Sequence, residues 1–402
     1  VEPVLDDVEQ AVAAIWRDVL RRDAQQQPPL AREAHFFIHG GNSLAATQVA
    51  ARIADRWEIE FPVRVLFEQP RLGELAAQVR RVLATGQRKQ RSAIPVLQAE
   101  RRAQPLALSH AQERQWFLWQ LDPKSTAYHV SAALELDGAL NIDALGAALD
   151  ELVARHESLR TVFRAAADGT VCQWIQPPLR LAPRQIDLRA LPAEAREAAA
   201  AEHASQCHAE PFDLGEGPLL RTALIRIDEA RHLLVVITHH IVSDGTSMQV
   251  LIDELGAAYG ARARGATPQF APLPIQYADY ALWQRDWLAA GEAERQLVYW
   301  RAQLGDEHPV LSLPADHPRH AVAAYRAASH AFEFDAALTR RLRVTAQAHG
   351  ATFFMALLAG FQALLHRYTG QQDVRVGVPV ANRHRPETAG LIGFFVNTQV
   401  LR

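Results

Sequence analysis

Residues 232–245 read HLLVVITHHIVSDG, and this stretch decides the architecture of the larger part of the chain. HLLVVIT is an almost unbroken apolar run, the pattern of a strand buried on both faces. His239, His240, Asp244 and Gly245 follow at once, and Met248, Leu251, Ile252, Leu255 and Tyr259 then recur at helical spacing. The polar cluster therefore lies on a strand-to-helix turn, where side chains project into the cleft beyond the strand's carboxyl end. Around it, strand and helix patterns alternate. AYHVSAALEL (127–136) reads as a strand, Leu145 to Leu152 as a helix, and VFRAAADGTVCQWI (162–175) as a hairpin turning at Asp168-Gly169. TFFMALLAGFQALLHRY (352–368) predicts an apolar helix and VRVGVPV (374–380) another buried strand.

Residues 4 to 85 differ. Val8, Ala11, Val12, Ile15, Trp16, Val19 and Leu20 lie on one helical face, behind Asp6 and Asp7 at the helix start. A Gln/Pro-rich loop (25–29) ends that helix, a second opens after FFIHGGN, RVLFEQP gives a short turn, and Leu72, Leu75, Ala76 and Val79 carry the last. TGQRKQRSAIP (85–95) is polar, basic and without periodicity, so residues 86–99 read as a solvated linker. The expected organisation is a helical unit (1–85), the linker, and an α/β unit (100–402) whose first lobe runs to 275 and whose second begins at 276.

The 402 residues exceed one hydrophobic core, and the net charge of -3 gives no reason to expect nucleic acid or an anionic membrane as partner. No apolar run is long enough to span a bilayer. Cys172 and Cys207 sit in unrelated contexts, which fits a reducing cytoplasm and argues against a disulfide framework or a zinc site. The chain starts at Val1 with the acidic stretch VEPVLDDVEQ rather than a signal peptide, and reads as a segment of something larger.

Two local patterns carry chemistry. In Gly40-Gly41-Asn42-Ser43-Leu44 a glycine-flanked serine enters a helix, where free N–H groups and the dipole favour a phosphate; a plain serine cap gives the same pattern. In HHIVSDG a histidine can exchange protons near neutrality. Satisfied core histidines, a metal site or a simple Asp-Gly turn stay open on the residues alone, although adjacent strand histidines face opposite ways and rarely share one ion.

HFFIHGGNSLAATQVAARI (35–53) resembles the carrier domains of nonribosomal peptide synthetases. THHIVSDGTS (238–247) resembles the HHxxxDG motif of their condensation domains and of other chloramphenicol-acetyltransferase-like acyltransferases. LSHAQERQWFLWQLDP (108–123), RHESLRTVF (155–163), QYADYALWQRDWL (276–288) and GLIGFFVNTQVLR (390–402) resemble further condensation-domain segments in the same order. The resemblance implies a four-helix-bundle carrier and a two-lobed acyltransferase, with the second lobe incomplete because the family continues beyond the segment matching 390–402.

It also implies roles. Ser43 would carry 4'-phosphopantetheine and His240 would be catalytic, with His239 structural. Asp244 would pair with Arg160, and Gly245 would allow the tight turn and the approach of a thioester. Expected partners are an upstream adenylation domain, a downstream acceptor carrier and a phosphopantetheinyl transferase, with no metal. An epimerisation domain shares HHxxxDG but follows GGDS carriers, and a heterocyclisation domain would replace both histidines. A fused carrier disfavours a stand-alone acyltransferase. A recruitment module would have lost the second histidine.

Overall fold

The computed structural model describes residues 5–20, 29–41, 43–86, 93–166, 168–317 and 329–402, and for Ser43 and Leu44 the backbone only. The expected loop 25–29 falls outside the described residues except at Pro29.

Four helices form the amino-terminal unit: α1 (Asp7–Val19), α2 (Ser43–Trp57), α3 (Arg64–Glu68) and α4 (Leu72–Ala84). A capping box closes the start of α1, with Asp6 accepting from the Glu9 N–H and Glu9 from the Asp6 N–H. Trp16, Phe36, Ile53, Leu66, Leu72 and Leu75 are fully buried between the helices.

The rest comprises α5 (Ala99–Arg102), β1 (Leu106–Ala107), α6 (His110–Leu121), β2 (His129–Asp137), α7 (Ile142–Arg155), β3 (Thr161–Ala165), β4 (Val171–Ile175), β5 (Arg184–Asp187), α8 (Ala193–Ala209), β6 (Leu220–Arg226), β7 (Arg231–His239), α9 (Gly245–Ala263) and α10 (Tyr277–Trp287). After these come α11 (Ala293–Leu304), α12 (Ala336–Ala348), α13 (Phe353–Thr369), β8 (Val376–Val380) and β9 (Asn397–Leu401). One sheet has the order β2-β7-β6-β5, a second β1-β4-β3, and β8 pairs with β9 alone.

The apolar run is the interior strand β7, antiparallel to β2 and β6. Its side chains alternate between two cores. Leu234 and Val236 pack with Leu149, Leu152, Leu251 and Leu255 of α7 and α9, while Val235 and Ile237 pack with Phe163, Phe212 and Ile225. Burial on both faces is thus met by an antiparallel strand, and among the described residues only β5–β6 is parallel. The hairpin turns at Gly169, whose φ of 84° suits glycine.

Three expectations need correction. The chain as a whole divides into two compact bodies, one taking in the helical unit and everything to Asp286 together with 381–396, the other 287–380 with 397–402. A boundary at 276 and an unbroken second lobe from 276 to 402 do not match this division, in which 276–286 and 381–396 belong to the first body. The strand 376–380 is not buried: with β9 as its one partner it is half-exposed. The linker ends earlier than 99, since Ile94 is buried among Ile275, Tyr277, Tyr280 and Phe395. There the Leu97 N–H donates to Asp279 (2.8 Å), which also pairs with Arg102. Residues 87–92 lie outside the described residues.

Candidate active site

His239 ends β7 with its ring buried, and Nδ1 accepts from the Ile241 N–H at 3.1 Å. Burial first, then neighbouring His129 and His240, lowers its pKa to about 3. A ring this reluctant to charge is a poor proton carrier near neutrality, and its place is in the wall of the site.

His240 is half-buried one residue further on, and its N–H donates to the Tyr128 carbonyl at 2.8 Å. Its Nδ1 lies 2.7 Å from the Ser243 carbonyl oxygen. A carbonyl only accepts, so Nδ1 holds the proton and the neutral ring keeps its lone pair on Nε2. The strand-end turn therefore selects this tautomer for as long as the ring keeps the orientation that makes the bond. The Phe394 ring meets this imidazole edge to face, with centroids 4.6 Å apart.

Asp244 caps α9 from a fully buried position, Oδ1 accepting from the Ser247 N–H at 2.7 Å. Its cationic partner is Arg383, Nη2 to Oδ1 3.1 Å, and not Arg160. Arg160 instead donates to the Gln176 carbonyl and lies 3.8 Å from Glu157. Arg160 ends the turn leading into β3 and is engaged there, whereas Arg383 reaches Asp244 from a segment 139 residues later in the chain.

Buried side chains bind that later segment through its peptide groups. Arg383 Nη1 donates to the Leu391 carbonyl at 2.8 Å, Ser158 Oγ to Ile392 at 2.8 Å and Tyr277 Oη to Phe394 at 2.6 Å. The Gly393 N–H donates to Ser247 Oγ at 3.0 Å, and the Phe395 N–H to Asp244 Oδ2 at 3.1 Å. Burial holds the Tyr277 phenol well above its usual range, so it stays protonated and donates. Residues 391–395 form a strap laid over the histidine loop. A Cβ on Gly393 would come within 2.0 Å of Tyr277 Cδ2, so only glycine fits there.

Gly245 opens α9 without a positive φ, its Cβ side is open, and it is exposed. The turn does not require glycine, contrary to the first half of its expected role. Arg383, Tyr277 and Phe394 were not singled out in the sequence, where no local spacing joins them to HHIVSDG; Ser247, three residues after Asp244, was passed over although it lies at capping distance.

In the helical unit Ser43 is the first residue of α2; Asn42 and the Ser43 side chain lie outside the described residues. Gly40 has φ 97°, and a Cβ on Gly41 would meet the Phe36 ring at 2.4 Å, so both glycines are required. A serine opening a helix of 15 residues fits a covalently held phosphate group. Among the described residues no His/Cys/Asp/Glu group could hold a metal ion, and no single helix is long and apolar enough to cross a membrane.

Residues 10–79 match the phosphopantetheine attachment site family and 102–402 the Condensation domain family. The chain belongs to the condensation-domain family, the amide-bond-forming acyltransferases of nonribosomal peptide synthetases, with a phosphopantetheine carrier domain ahead of it. It is 44% identical to one of the linear gramicidin synthase polypeptides of Brevibacillus parabrevis, across 99% of this chain and 8% of that one. It is 38% identical to malpinin synthetase of Mortierella alpina, across 98% of this chain and 5% of that one. The chain spans 5–8% of the length of the first such relatives.

Solved structures are similar as well. A complex of the X-domain and OxyB from teicoplanin biosynthesis has TM-score 0.68 and 32% identity, covering 78% of this chain and 67% of that one. The first condensation domain of the calcium-dependent antibiotic synthetase, with a substrate analogue, has TM-score 0.64 and 30% identity, covering 74% and 70%.

Proposed function

We propose that this chain moves an acyl or peptidyl donor from Ser43 to the amine of an acceptor aminoacyl thioester, with His240 as the working imidazole. The observation that carries this reading is the 2.7 Å contact of His240 Nδ1 with the Ser243 carbonyl at the end of β7, which in the neutral ring leaves the lone pair on Nε2. Phosphopantetheine, when bound, supplies the thiol that holds the donor as a thioester. An α-amino group has a pKa of about 7.7–8.0, so much of it is neutral at physiological pH. General-base help from Nε2 then contributes roughly 10²-fold, and orientation of the amine as much or more. Gly245, open and exposed beside the loop, leaves room for the thioester. A downstream carrier would bring the acceptor, an adenylation domain would activate the donor, and a phosphopantetheinyl transferase would modify Ser43, all in the cytoplasm.

Mass spectrometry tests the first half: the chain gains one phosphopantetheine from coenzyme A and a transferase, and Ser43→Ala gains none. His240→Ala tests the second, with amide formation falling at least tenfold. The similarity to the X-domain complex favours one other reading, a module that holds a partner protein. There His240→Ala would leave partner binding intact, and the chain would form no amide.

A further inference from the structure

We infer that Phe394 is a positioning residue for His240, held in place by the strap. This rests on the proposal that His240 is the working imidazole.

One hydrogen bond from Nδ1 directs the ring, but the torsion about the Cβ–Cγ bond is intrinsically broad. A second contact is needed to fix the ring plane, and with it the direction in which Nε2 presents its lone pair. Phe394 supplies it, at 4.6 Å and an interplanar angle of 61°, the edge-to-face geometry that aromatic pairs prefer. The guanidinium of exposed Arg114 lies over the same phenyl ring, 5.9 Å from its centroid.

The phenyl ring can act as a stop only if it cannot retreat. Phe394 is itself buried, its carbonyl accepts from Tyr277, and both neighbours are fastened: Gly393 to Ser247, Phe395 to Asp244. The contact of Gly393 with the Tyr277 ring leaves that segment no slack. Asp244 thus reaches His240 by two routes, through the turn between them and through the strap that presents Phe394.

The test uses the full chain with labelled histidine, comparing wild type, Phe394→Leu and Phe394→Tyr by NMR of the imidazole nitrogens and ring protons. Wild type and Phe394→Tyr should show one His240 tautomer, protonated at Nδ1, with ring protons shifted by the aromatic neighbour. Phe394→Leu should show averaged tautomers. A Leu variant that keeps the single tautomer overturns the inference, whatever its turnover. Should Phe394→Leu not fold, Phe394→Met replaces it.

Kinetics use an acyl donor loaded on Ser43 and the fastest acceptor from a panel of aminoacyl pantetheines. Phe394→Leu should lower kcat about tenfold at unchanged acceptor KM, Phe394→Tyr should restore it, and Phe394→Leu should add nothing in a His240→Ala background. An equal loss in that background overturns the inference. If the tautomers average in Phe394→Leu while His240→Ala condenses like wild type, Phe394 still orients the ring and the catalytic reading of His240 falls instead.

Discussion

Arg383 Nη2 lies 3.1 Å from Asp244 Oδ1, and both side chains are almost wholly buried, at 3% and 0% exposure. The same arginine donates to the Thr388 and Leu391 carbonyls and lies over the Phe395 ring at 4.1 Å. A single buried cation therefore joins the histidine loop to the strap, and the loop's aspartate is spent on architecture.

Removing that cation leaves the buried Asp244 without its counter-charge, holding only the donors of Ser247 and Phe395. Arg383→Met should cost about 3–5 kcal/mol in urea denaturation, and adding Asp244→Asn should recover part of the loss. Arg160→Met should cost less, about 1–2 kcal/mol, and show no coupling to Asp244→Asn. Strong coupling between Asp244 and Arg160 would contradict the geometry.

Acid should weaken the fold through His239. Its folded pKa is about 3, below an unfolded value of about 6.5, so the unfolded chain takes up a proton that the folded chain refuses. The stabilisation is complete above pH ~6.5 and is lost as pH falls towards 3, at about 1.4 kcal/mol per pH unit. His239→Asn keeps an acceptor for the Ile241 N–H but cannot titrate. Between pH 7 and pH 5 the wild type should lose about 2 kcal/mol more than this variant, and equal losses would show that His239 does not titrate with folding.

The two glycines of the site should part company on substitution. Gly393→Ala drives a methyl into Tyr277 and should cost about 3 kcal/mol or more. Gly245→Ala meets no neighbouring atom and should leave stability within about 0.5 kcal/mol, yet slow amide formation. Wild-type turnover in folded Gly245→Ala would mean that the thioester does not pass there.

Ile94 should behave as core rather than tether. Ile94→Ala should destabilise the condensation unit by about 2–4 kcal/mol and speed hydrogen exchange at 275–281 and 391–396. The helices of the carrier should be unaffected. Unchanged exchange at both segments would return Ile94 to the linker.

Legibility followed the range of the interactions. The strand 232–238 and the turn after it were readable because burial of both faces and the strand-to-helix switch are written in adjacent residues. The turn before Ser43 was readable for the same reason, since Gly40 and Gly41 answer to their own backbone and to Phe36 nearby. Arg383 was not, because a charge can choose among many distant partners and the family resemblance pointed to the arginine of RHESLRT instead. Ile94 was hidden at the end of a polar, basic stretch, although one side chain facing a pocket of aromatic rings suffices to dock a segment. VRVGVPV was over-read: an apolar run says that a strand can be buried, not how many strands flank it.

The strap also bears on grafting between synthetases. Its anchors, Ser158, Ser247 and Tyr277, precede it by more than a hundred residues, and Asp244 shares that gap. A chimera with a crossover between about 290 and 380 would inherit its histidine loop from one parent and the peptide lying across it from another. Crossovers before Ser158 or after Phe395 keep the strap with all of these anchors, and hybrids so made should retain the imidazole's setting even when their substrates differ.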